Sequence, residues 1–169
     1  MKPIPLTRGK VAWVDDADYE RIVEHKWMYQ KCKKQHTGYA ARWKHISKGV
    51  RRLVFMHREI LGLDGGRYPM VDHRNRDGLL NIRENLRVCS PSQNAANRIV
   101  SSTSQTGVKG VSFVRSTGRY WAHLWKNGKH INLGCFATIE EAAKAYSNGA
   151  NIHHGEFARM SERPLVKLN

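Results

Sequence analysis

The sequence of 169 residues is long enough for one mid-sized domain or two small ones, and 40% of its residues are hydrophobic. Lys and Arg number 29 against 14 Asp and Glu, and this net charge of +15 favours a polyanionic partner, although a generally basic soluble protein or one at an anionic membrane would share it. No run of about 18 apolar residues, signal peptide or C-x-x-C pair occurs, which argues against a membrane span, a zinc ribbon and a disulfide framework. Cys32, Cys89 and Cys135 are therefore expected to be reduced thiols in a cytosolic protein.

Residues 1–54 are predicted to form a β-rich region. The stretch KVAWVDDADYERI predicts a strand, a turn at Asp15–Asp16 and a short helix, and the stretches HKWMYQ and GYAARWKHI predict strands separated near Gly38. The basic run QKCKKQ would either extend a nucleic-acid contact or lie in a solvated loop, and the sequence leaves this open. We expect a small sheet packed beside the segment that follows.

Residues 55–98 carry the polar residues of greatest interest. The stretch VFMHREILGL has helical apolar spacing and predicts a short helix that ends at Gly65–Gly66. A strand that begins at Met70 is expected to carry Asp72–His73 at its end, and a polar loop and a second strand, Leu86–Val88, follow. Ser90, Pro91 and Gln93 then predict a capped helix, because they provide a capping residue, Pro at the first helical position and a capping-box glutamine.

This strand–loop–strand–helix unit resembles the HNH endonucleases of the ββα-metal fold, in particular the phage and intron-encoded homing enzymes. The match rests on Asp72–His73, on Asn85 within the stretch ENLR and on Asn94 of the helix. The resemblance implies that His73 is the general base that activates water. It also implies that Asp72 and Asn94 bind a metal, and that Asn85 braces the loop and orients His73.

Elementary chemistry agrees with these roles. Hydrolysis of a phosphodiester needs a deprotonated water, and imidazole titrates near neutral pH. It also needs a cation at the phosphate, and carboxylate and amide oxygens are hard ligands that favour Mg²⁺ or Mn²⁺ over zinc. Many HNH enzymes have His where this chain has Asn94, which also disfavours tightly held zinc. An isolated Asp-His pair is more often a surface turn, so the ordered set with its capped helix favours catalysis.

Other polar residues of this part of the chain have weaker predicted roles. His57 stands where the family commonly has a His before the Asp-His pair, and we expect it to pack or to make a bracing hydrogen bond. Asn81 and Arg83 flank the loop, where phosphate contact and plain solvation are equally open. Asn97 is predicted to be a polar residue at the helix end. No ligand spacing is found, and no role is assigned, for His25, His36 and His45.

Residues 99–106 are rich in Ser and Thr and predict a linker, residues 107–158 predict a second module, and residues 159–169 predict a disordered tail. The stretches KGVSFVR, RYWAHLW and HINLGCF predict three strands, and the Asn127–Gly128 pair is a strong hairpin signal. A helix should begin with a capping box of Thr138 and Glu141 and end at Gly155.

The second module resembles the AP2/ERF DNA-binding domain through the stretches GVKGVSF, WAHL, LGCFATIEEAAKAY and HGEFA. The resemblance implies a three-stranded antiparallel sheet backed by a helix, whose opposite face enters the major groove of DNA. Strand alternation places Tyr120, Ala122, Leu124, Ile131 and Leu133 on the helix side. The predicted DNA-binding residues are Lys109, Ser112, Arg115, Arg119, Trp121, His123, Trp125, Lys126, Lys129, His130 and Asn132.

Two points limit what the AP2/ERF resemblance transfers. Plant members carry arginines at several outward positions where this chain has Ser112, Trp125 and His130, so no base preference is carried over. A location in the core rather than on the DNA-binding face also stays open for Trp121 and Trp125.

The sequence therefore predicts an α+β protein that is a metal-dependent HNH DNA endonuclease with Mg²⁺ or Mn²⁺ as cofactor. One site per chain predicts nicking of double-stranded DNA by a monomer that does not engage membranes. The family implies a phage- or prophage-encoded enzyme in the cytoplasm of a bacterial host. One alternative is a DNA-binding regulator with an idle nuclease site, which metal-dependent cleavage would exclude. A second alternative is an RNA-binding or RNA-cleaving protein, which competition by duplex RNA would reveal.

Overall fold

A computed structural model describes residues 1–32, 38–63, 66, 68–101 and 103–159. Its contacts divide the chain into two compact units, Met1–Cys89 and Ser90–Asn169. Each unit combines short strands with helices around its own hydrophobic core, so the predicted α+β class is confirmed. His36, much of the run QKCKKQ and almost all of the predicted tail lie outside the described residues.

Within its described residues, the first unit contains three small sheets. In the first sheet β1 (Lys2–Pro5) pairs antiparallel with β2 (Val11–Val14), and β7 (Leu80–Asn81) joins β2 in parallel. The second is an antiparallel sheet of β3 (Met28–Gln30), β4 (Tyr39–Ser47) and β5 (Val50–Phe55). In the third, β6 (Met70–His73) pairs antiparallel with β8 (Leu86–Cys89).

Two helices, α1 (Asp16–Val23) and α2 (Met56–Ile60), pack with these sheets around one core. Val14, Ile22 and Trp27 from the β-rich region meet Met56 and other side chains from the segment that follows. Burial of apolar surface thus joins the two predicted segments into one body, and the β-rich region supports the β6–β8 hairpin.

The helix α2 is shorter than predicted. Phe55 still belongs to β5, and the helix ends at Ile60 rather than near Gly65–Gly66. Gly62, at a φ of +67°, turns the chain away soon after the helix ends, since glycine adopts this conformation without steric cost. Apolar spacing alone extended the helix too far, because Leu63 continues the periodicity beyond that turn.

The second unit begins with α3 (Pro91–Ala96) and continues as β9 (Val111–Val114), β10 (Arg119–Lys126), β11 (Lys129–Phe136) and α4 (Ile139–His154). The three strands form an antiparallel sheet with β10 in the middle. Asn127 and Gly128 both have positive φ, as a tight hairpin turn requires. Ala122 and Leu124 of the sheet pack with Ala142 and Tyr146 of α4, and the predicted capping box of α4 is present.

The division between the units lies at Cys89–Ser90, ahead of the predicted linker, so α3 groups with the second module rather than with the β6–β8 hairpin. The end of the predicted linker is also part of the second fold. Thr106 is buried, and its hydroxyl donates to the carbonyl oxygen of Val111 at 2.8 Å. Among the described residues, no helix combines the length and the apolar character needed to cross a membrane.

Candidate functional site

Asp72 and His73 occupy the end of β6, where the antiparallel register places them opposite Arg87 and Leu86 of β8. The Nε and Nη2 atoms of Arg87 both donate to Oδ2 of Asp72, at 2.9 and 2.7 Å. The two side chains are only 8% and 7% exposed, so this is a buried ion pair. Arg87 therefore fixes the orientation of the Asp72 carboxylate, a role that the sequence did not predict.

His73 is buried, and a specific hydrogen bond orients its ring. Its Nε2 lies 3.2 Å from Oδ1 of Asn81, and the Nδ2 of Asn81 donates to the carbonyl oxygens of Leu79 and Gly78. Because these two carbonyls fix which way the Asn81 amide faces, its oxygen points to His73. An oxygen of this kind only accepts, so Nε2 carries the proton and Nδ1 carries the lone pair of a neutral ring.

The protonation state of His73 follows from its surroundings. Burial lowers its pKa below the ordinary value of 6.5, although the Asn81 hydrogen bond and the Asp72 charge act in the opposite direction. The ring is therefore neutral at pH 7. A neutral imidazole is the form that can take a proton from water.

Asn85 occupies the loop between the two strands of the hairpin. Its Oδ1 accepts a hydrogen bond from the backbone N–H of Asn75 at 3.0 Å, and its Nδ2 donates to the carbonyl oxygen of Leu80 at 2.7 Å. The backbone oxygen of Asn85 also accepts from the N–H of Arg74. These contacts brace the loop, whereas the amide on Nε2 of His73 belongs to Asn81 and not to Asn85 as expected.

Close packing of the loop also depends on a glycine. A Cβ atom at Gly78 would lie 2.4 Å from the carbonyl oxygen of Gly38 and 2.6 Å from the ring of Tyr39. No side chain fits there without movement of the backbone. The small residue of the Asp77–Gly78 pair therefore allows the loop to approach β4.

His57 lies in a cluster of rings around His73. The centroids of the His57 and His73 rings are 5.1 Å apart, and the rings of Tyr39 and Phe55 lie 5.4 and 5.6 Å from that of His57. The packing role predicted for His57 is confirmed, and its buried Nδ1 has no hydrogen-bond partner among the described residues. Burial lowers the pKa of His57 well below 6.5, and the neighbouring His73 and Arg58 lower it further.

The buried His57 predicts a pH-dependent stability of the first unit. Below pH 6.5 the unfolded chain protonates this residue while the folded chain does not, so the free energy of unfolding falls as the pH falls, by up to about 1.4 kcal/mol per pH unit for one group. In urea unfolding between about pH 7.5 and 5.5, we expect His57→Phe to reduce this pH slope by an amount that grows toward about one proton at the acid end. The exposed His45→Phe is the control, and an unchanged slope in His57→Phe would contradict the burial argument.

Arg83 has a structural contact that the sequence did not predict. Its Nε and Nη2 donate to the two carboxylate oxygens of Asp18 at 2.8 and 2.9 Å, and its backbone N–H donates to Asp15. Burial tends to raise the pKa of Asp18, but the hydrogen bonds from Arg83 and Arg21 outweigh it and lower that pKa. Arg83 therefore ties the hairpin to α1 through Asp18.

Asn94 lies on α3, whose sequence-predicted capping box is confirmed. The N–H of Gln93 donates to Oγ of Ser90, and Oε1 of Gln93 accepts from the N–H of Ser90. Asn94 is partly exposed within this helix, and Asn97 is its C-terminal capping residue, as expected. Asn94 belongs to the second unit, whereas Asp72 and His73 belong to the first.

The donor atoms proposed for a metal are chemically suited to Mg²⁺ or Mn²⁺. Asp72 offers a carboxylate and Asn94 an amide oxygen, and Mg²⁺ commonly takes one or two such ligands together with waters and phosphate oxygens. Burial raises the pKa of the nearby Cys89 thiol to about 11, so at neutral pH it is protonated and a poor ligand. In the described part of the chain, no cluster of three or more His, Cys, Asp and Glu is placed to hold a metal.

In the second unit, the face of the β9–β10–β11 sheet that points away from α4 carries a cluster of rings. The rings of Trp121 and His123 lie 4.5 Å apart, and that of His130 lies about 5 Å from those of Trp121, His123 and Trp125. Nε1 of Trp121 donates to Oδ1 of Asn132 at 2.7 Å. Trp125 is 59% exposed and Trp121 is half-buried outside the core cluster, so the predicted alternation is confirmed and neither is a core residue.

The basic residues predicted to contact phosphate differ in their surroundings. Arg115, Arg119 and Lys129 are exposed, as is Ser112, and Lys126 is half-buried. Lys109 differs, because its Nζ donates to the carbonyl oxygens of Ala96, Arg98 and Ala95 at the end of α3. The ammonium group of Lys109 thus has protein partners at the end of α3.

Comparisons with known proteins find similarity to plant AP2-like proteins and to a viral HNH endonuclease. No family model matches the chain. Over 42 residues, 25% of this chain, it is 48% identical to APETALA2-like protein 2 of Oryza sativa and to an AP2-like ethylene-responsive transcription factor of Arabidopsis thaliana, but it spans only 10% and 9% of these plant proteins. It is 30% identical over 155 residues to an uncharacterized HNH endonuclease of Acanthamoeba polyphaga mimivirus, covering 89% of this chain and 74% of the relative. Because that match spans most of both proteins, the chain belongs to the HNH endonuclease family.

Proposed function

We propose that the protein is a metal-dependent DNA endonuclease that hydrolyses one phosphodiester with His73 as its general base. The observation that carries this proposal is the hydrogen bond between Nε2 of His73 and Oδ1 of Asn81. It leaves the lone pair on Nδ1 of a neutral, buried imidazole. A base with this tautomer and a lowered pKa is ready to accept a proton at neutral pH.

In the proposed reaction, Nδ1 of His73 takes a proton from a water molecule. The resulting hydroxide oxygen bonds to phosphorus while the bond from phosphorus to the leaving oxygen breaks, and that oxygen then gains a proton from solvent. Asn81 holds the ring during this transfer, because its oxygen accepts a hydrogen bond from Nε2. This hydrogen bond becomes stronger when the ring becomes cationic. Asn85 keeps the loop that supplies Asn81 in place through its bonds to Asn75 and Leu80.

Asp72 and Asn94 are the proposed ligands of Mg²⁺ or Mn²⁺. The bound cation would stabilise the charge that develops on the phosphate and on the leaving oxygen. Arg87 orients the Asp72 carboxylate through Oδ2, so the direction of this ligand does not depend on the metal. The capping box fixes the start of the helix that carries Asn94.

The second unit is the proposed reader of double-stranded DNA. Its exposed sheet face offers rings that can contact sugar and base edges, and the exposed cations beside it can contact phosphate. The residues assigned to this face are Ser112, Arg115, Arg119, Trp121, His123, Trp125, Lys126, Lys129, His130 and Asn132. The net charge of +15 adds a sequence-independent attraction that weakens with salt.

Acting as a monomer with one site per chain, the protein would nick rather than cut both strands at once. The same family membership is compatible with a homing or phage-encoded enzyme that acts in the cytoplasm of a bacterial host.

The proposal is tested by incubating supercoiled plasmid with the protein in Mg²⁺, Mn²⁺ or EDTA. We expect open circles to form with either metal and none to form in EDTA. Asp72 and Asn94 carry no positive charge, so only the cation that they would bind can stabilise the charge on the phosphate. Agarose electrophoresis separates the nicked and supercoiled forms directly. A plasmid that carries candidate target sequences is compared with one that lacks them.

Two outcomes would change the assignment. If the protein binds duplex DNA tightly but leaves the plasmid supercoiled with both metals, it is a DNA-binding regulator. If duplex RNA competes as well as duplex DNA, or is itself cleaved, the substrate class is wrong. Affinity for nucleic acid is expected to fall as the salt concentration rises in every case, so this measurement does not distinguish these outcomes.

A further inference from the structure

The end of α3 is held by a lysine from the reader itself. Nζ of Lys109 donates to the carbonyl oxygens of Ala96, of Arg98 at 2.8 Å and of Ala95 at 3.4 Å. The last carbonyls of a helix have no partner within the helix, and a cation there also opposes the partial negative charge of the helix end. Lys109 therefore provides, from outside the helix, both the hydrogen bonds and the charge that this end requires.

The other parts of α3 are also contacted by the reader. The backbone N–H of Asn127, in the β10–β11 turn, donates to Oγ of Ser92 at 3.2 Å. An open groove beside this contact is lined by Pro91 and Ala95 of the helix and by Trp125 of β10. A six-residue helix is not stable in isolation, so these contacts determine where it lies.

The charge of Lys109 also acts on a second group of the same unit. Burial lowers the pKa of His154, at the end of α4, and the positive charge of Lys109 is the next cause of that shift. The bonds of the ammonium group itself go to the end of α3. Lys109 is thus bonded to backbone carbonyls of the protein, whereas Lys129 is exposed.

From these contacts we infer that Lys109 is a positioning residue for cleavage, which holds α3 and with it Asn94. The inference rests on the proposed function, in which Asn94 is a metal ligand. The second unit would then contribute to catalysis as well as to DNA binding, because it contains both Asn94 and the lysine that holds the helix of Asn94. Substitution of Lys109 should then slow cleavage without weakening the hold on DNA.

Lys109→Met is compared with Lys109→Arg, and Lys129→Met is the matched control. Hydrogen exchange followed by mass spectrometry reports the backbone amides of Asn94, Asn97 and Arg98, all of which are bonded within α3. In Lys109→Met we expect exchange in this segment to be faster by at least about tenfold, since charge-assisted bonds to carbonyls are lost. Exchange in α4 should stay unchanged, which shows that the unit is folded.

The same variants are assayed for cleavage and for DNA binding. Lys109→Met should lower the single-turnover cleavage rate by about tenfold or more while its DNA dissociation constant and salt dependence stay near wild type. Lys109→Arg should restore both readouts, because its guanidinium also donates to several carbonyls. Lys129→Met should behave in the opposite way, with weaker binding and unchanged α3 exchange.

The inference is overturned if Lys109→Met leaves exchange in α3 unchanged and instead weakens DNA binding with a salt slope lower by about one, the signature of a lost phosphate contact. Failure of the proposed function looks different. If the wild-type protein does not cleave, the exchange experiment still decides whether Lys109 holds α3.

Discussion

Replacing His73 by Ala should abolish metal-dependent cleavage while duplex binding is retained. The imidazole is the proposed acceptor of the water proton, and a positioned general base typically contributes about 10²–10⁴-fold to the rate. The rate is measured in a single turnover, as supercoiled plasmid becomes nicked in Mg²⁺. Saturating protein keeps a change in DNA affinity from affecting this rate. We expect a rate reduced by at least about a hundredfold.

The controls for His73→Ala separate chemistry from folding. His45→Ala removes an exposed imidazole of β4 with no proposed role and should cleave at the wild-type rate. If the amides of β6 and β8 exchange at the same rates in His73→Ala as in wild type, the hairpin has kept its fold. Cleavage by His73→Ala within a few fold of wild type would assign the proton transfer to another group.

The largest expected effect on stability comes from Arg87→Met. This change leaves the Asp72 carboxylate, which is only 7% exposed, without the guanidinium that bonds its Oδ2. Removal of one partner of a buried ion pair typically costs about 3–5 kcal/mol, because the remaining charge stays uncompensated. The opening free energy of the β6–β8 hairpin, measured by hydrogen exchange of the Leu86–Cys89 segment, should fall by this amount.

A double variant tests the cause of that loss. Asp72→Leu together with Arg87→Met removes both charges, and apolar replacement of a buried pair is often neutral or stabilising. We therefore expect the double variant to regain most of the stability while it stays inactive, since the proposed metal ligand is gone. A single Arg87→Met variant within about 1 kcal/mol of wild type would show that Asp72 is compensated by other groups.

The features that the sequence predicts correctly are those encoded over short distances. Ser90 and Gln93 lie three residues apart and form the capping box of α3, and Asn127–Gly128 forms the β10–β11 turn. The alternation along β10 and β11 places the Trp and His rings on one face for the same reason. These signals depend only on local backbone geometry and on a period of two.

The features that the sequence does not predict are contacts between distant segments. Asn81 lies on β7, whose parallel pairing with β2 is set by the core, and its position beside His73 follows from that pairing. The sequence assigns the orientation of His73 to Asn85, whereas the hydrogen bond that the structure shows on Nε2 goes to Asn81. The Asp72–Arg87 pair could have been found, because the two residues become opposite once β6 and β8 are aligned.

Lys109 has partners in the protein that the AP2/ERF resemblance does not predict. Within the AP2/ERF-like segment it is a cation beside a predicted DNA-binding face, so phosphate contact was the natural expectation. Its partners lie 11 to 14 residues earlier in the chain, beyond the segment that carries the resemblance. Only the fold of the second unit, which includes α3, brings them together.

In the proposed function, His73 and a divalent metal act together to cleave DNA. This is tested most directly by relaxation of supercoiled plasmid, with wild type and His73→Ala assayed side by side in Mg²⁺, Mn²⁺ and EDTA. We expect open circles only for wild type with a metal present. Persistence of supercoiled plasmid with wild type in both metals, or equal nicking by His73→Ala, would contradict it.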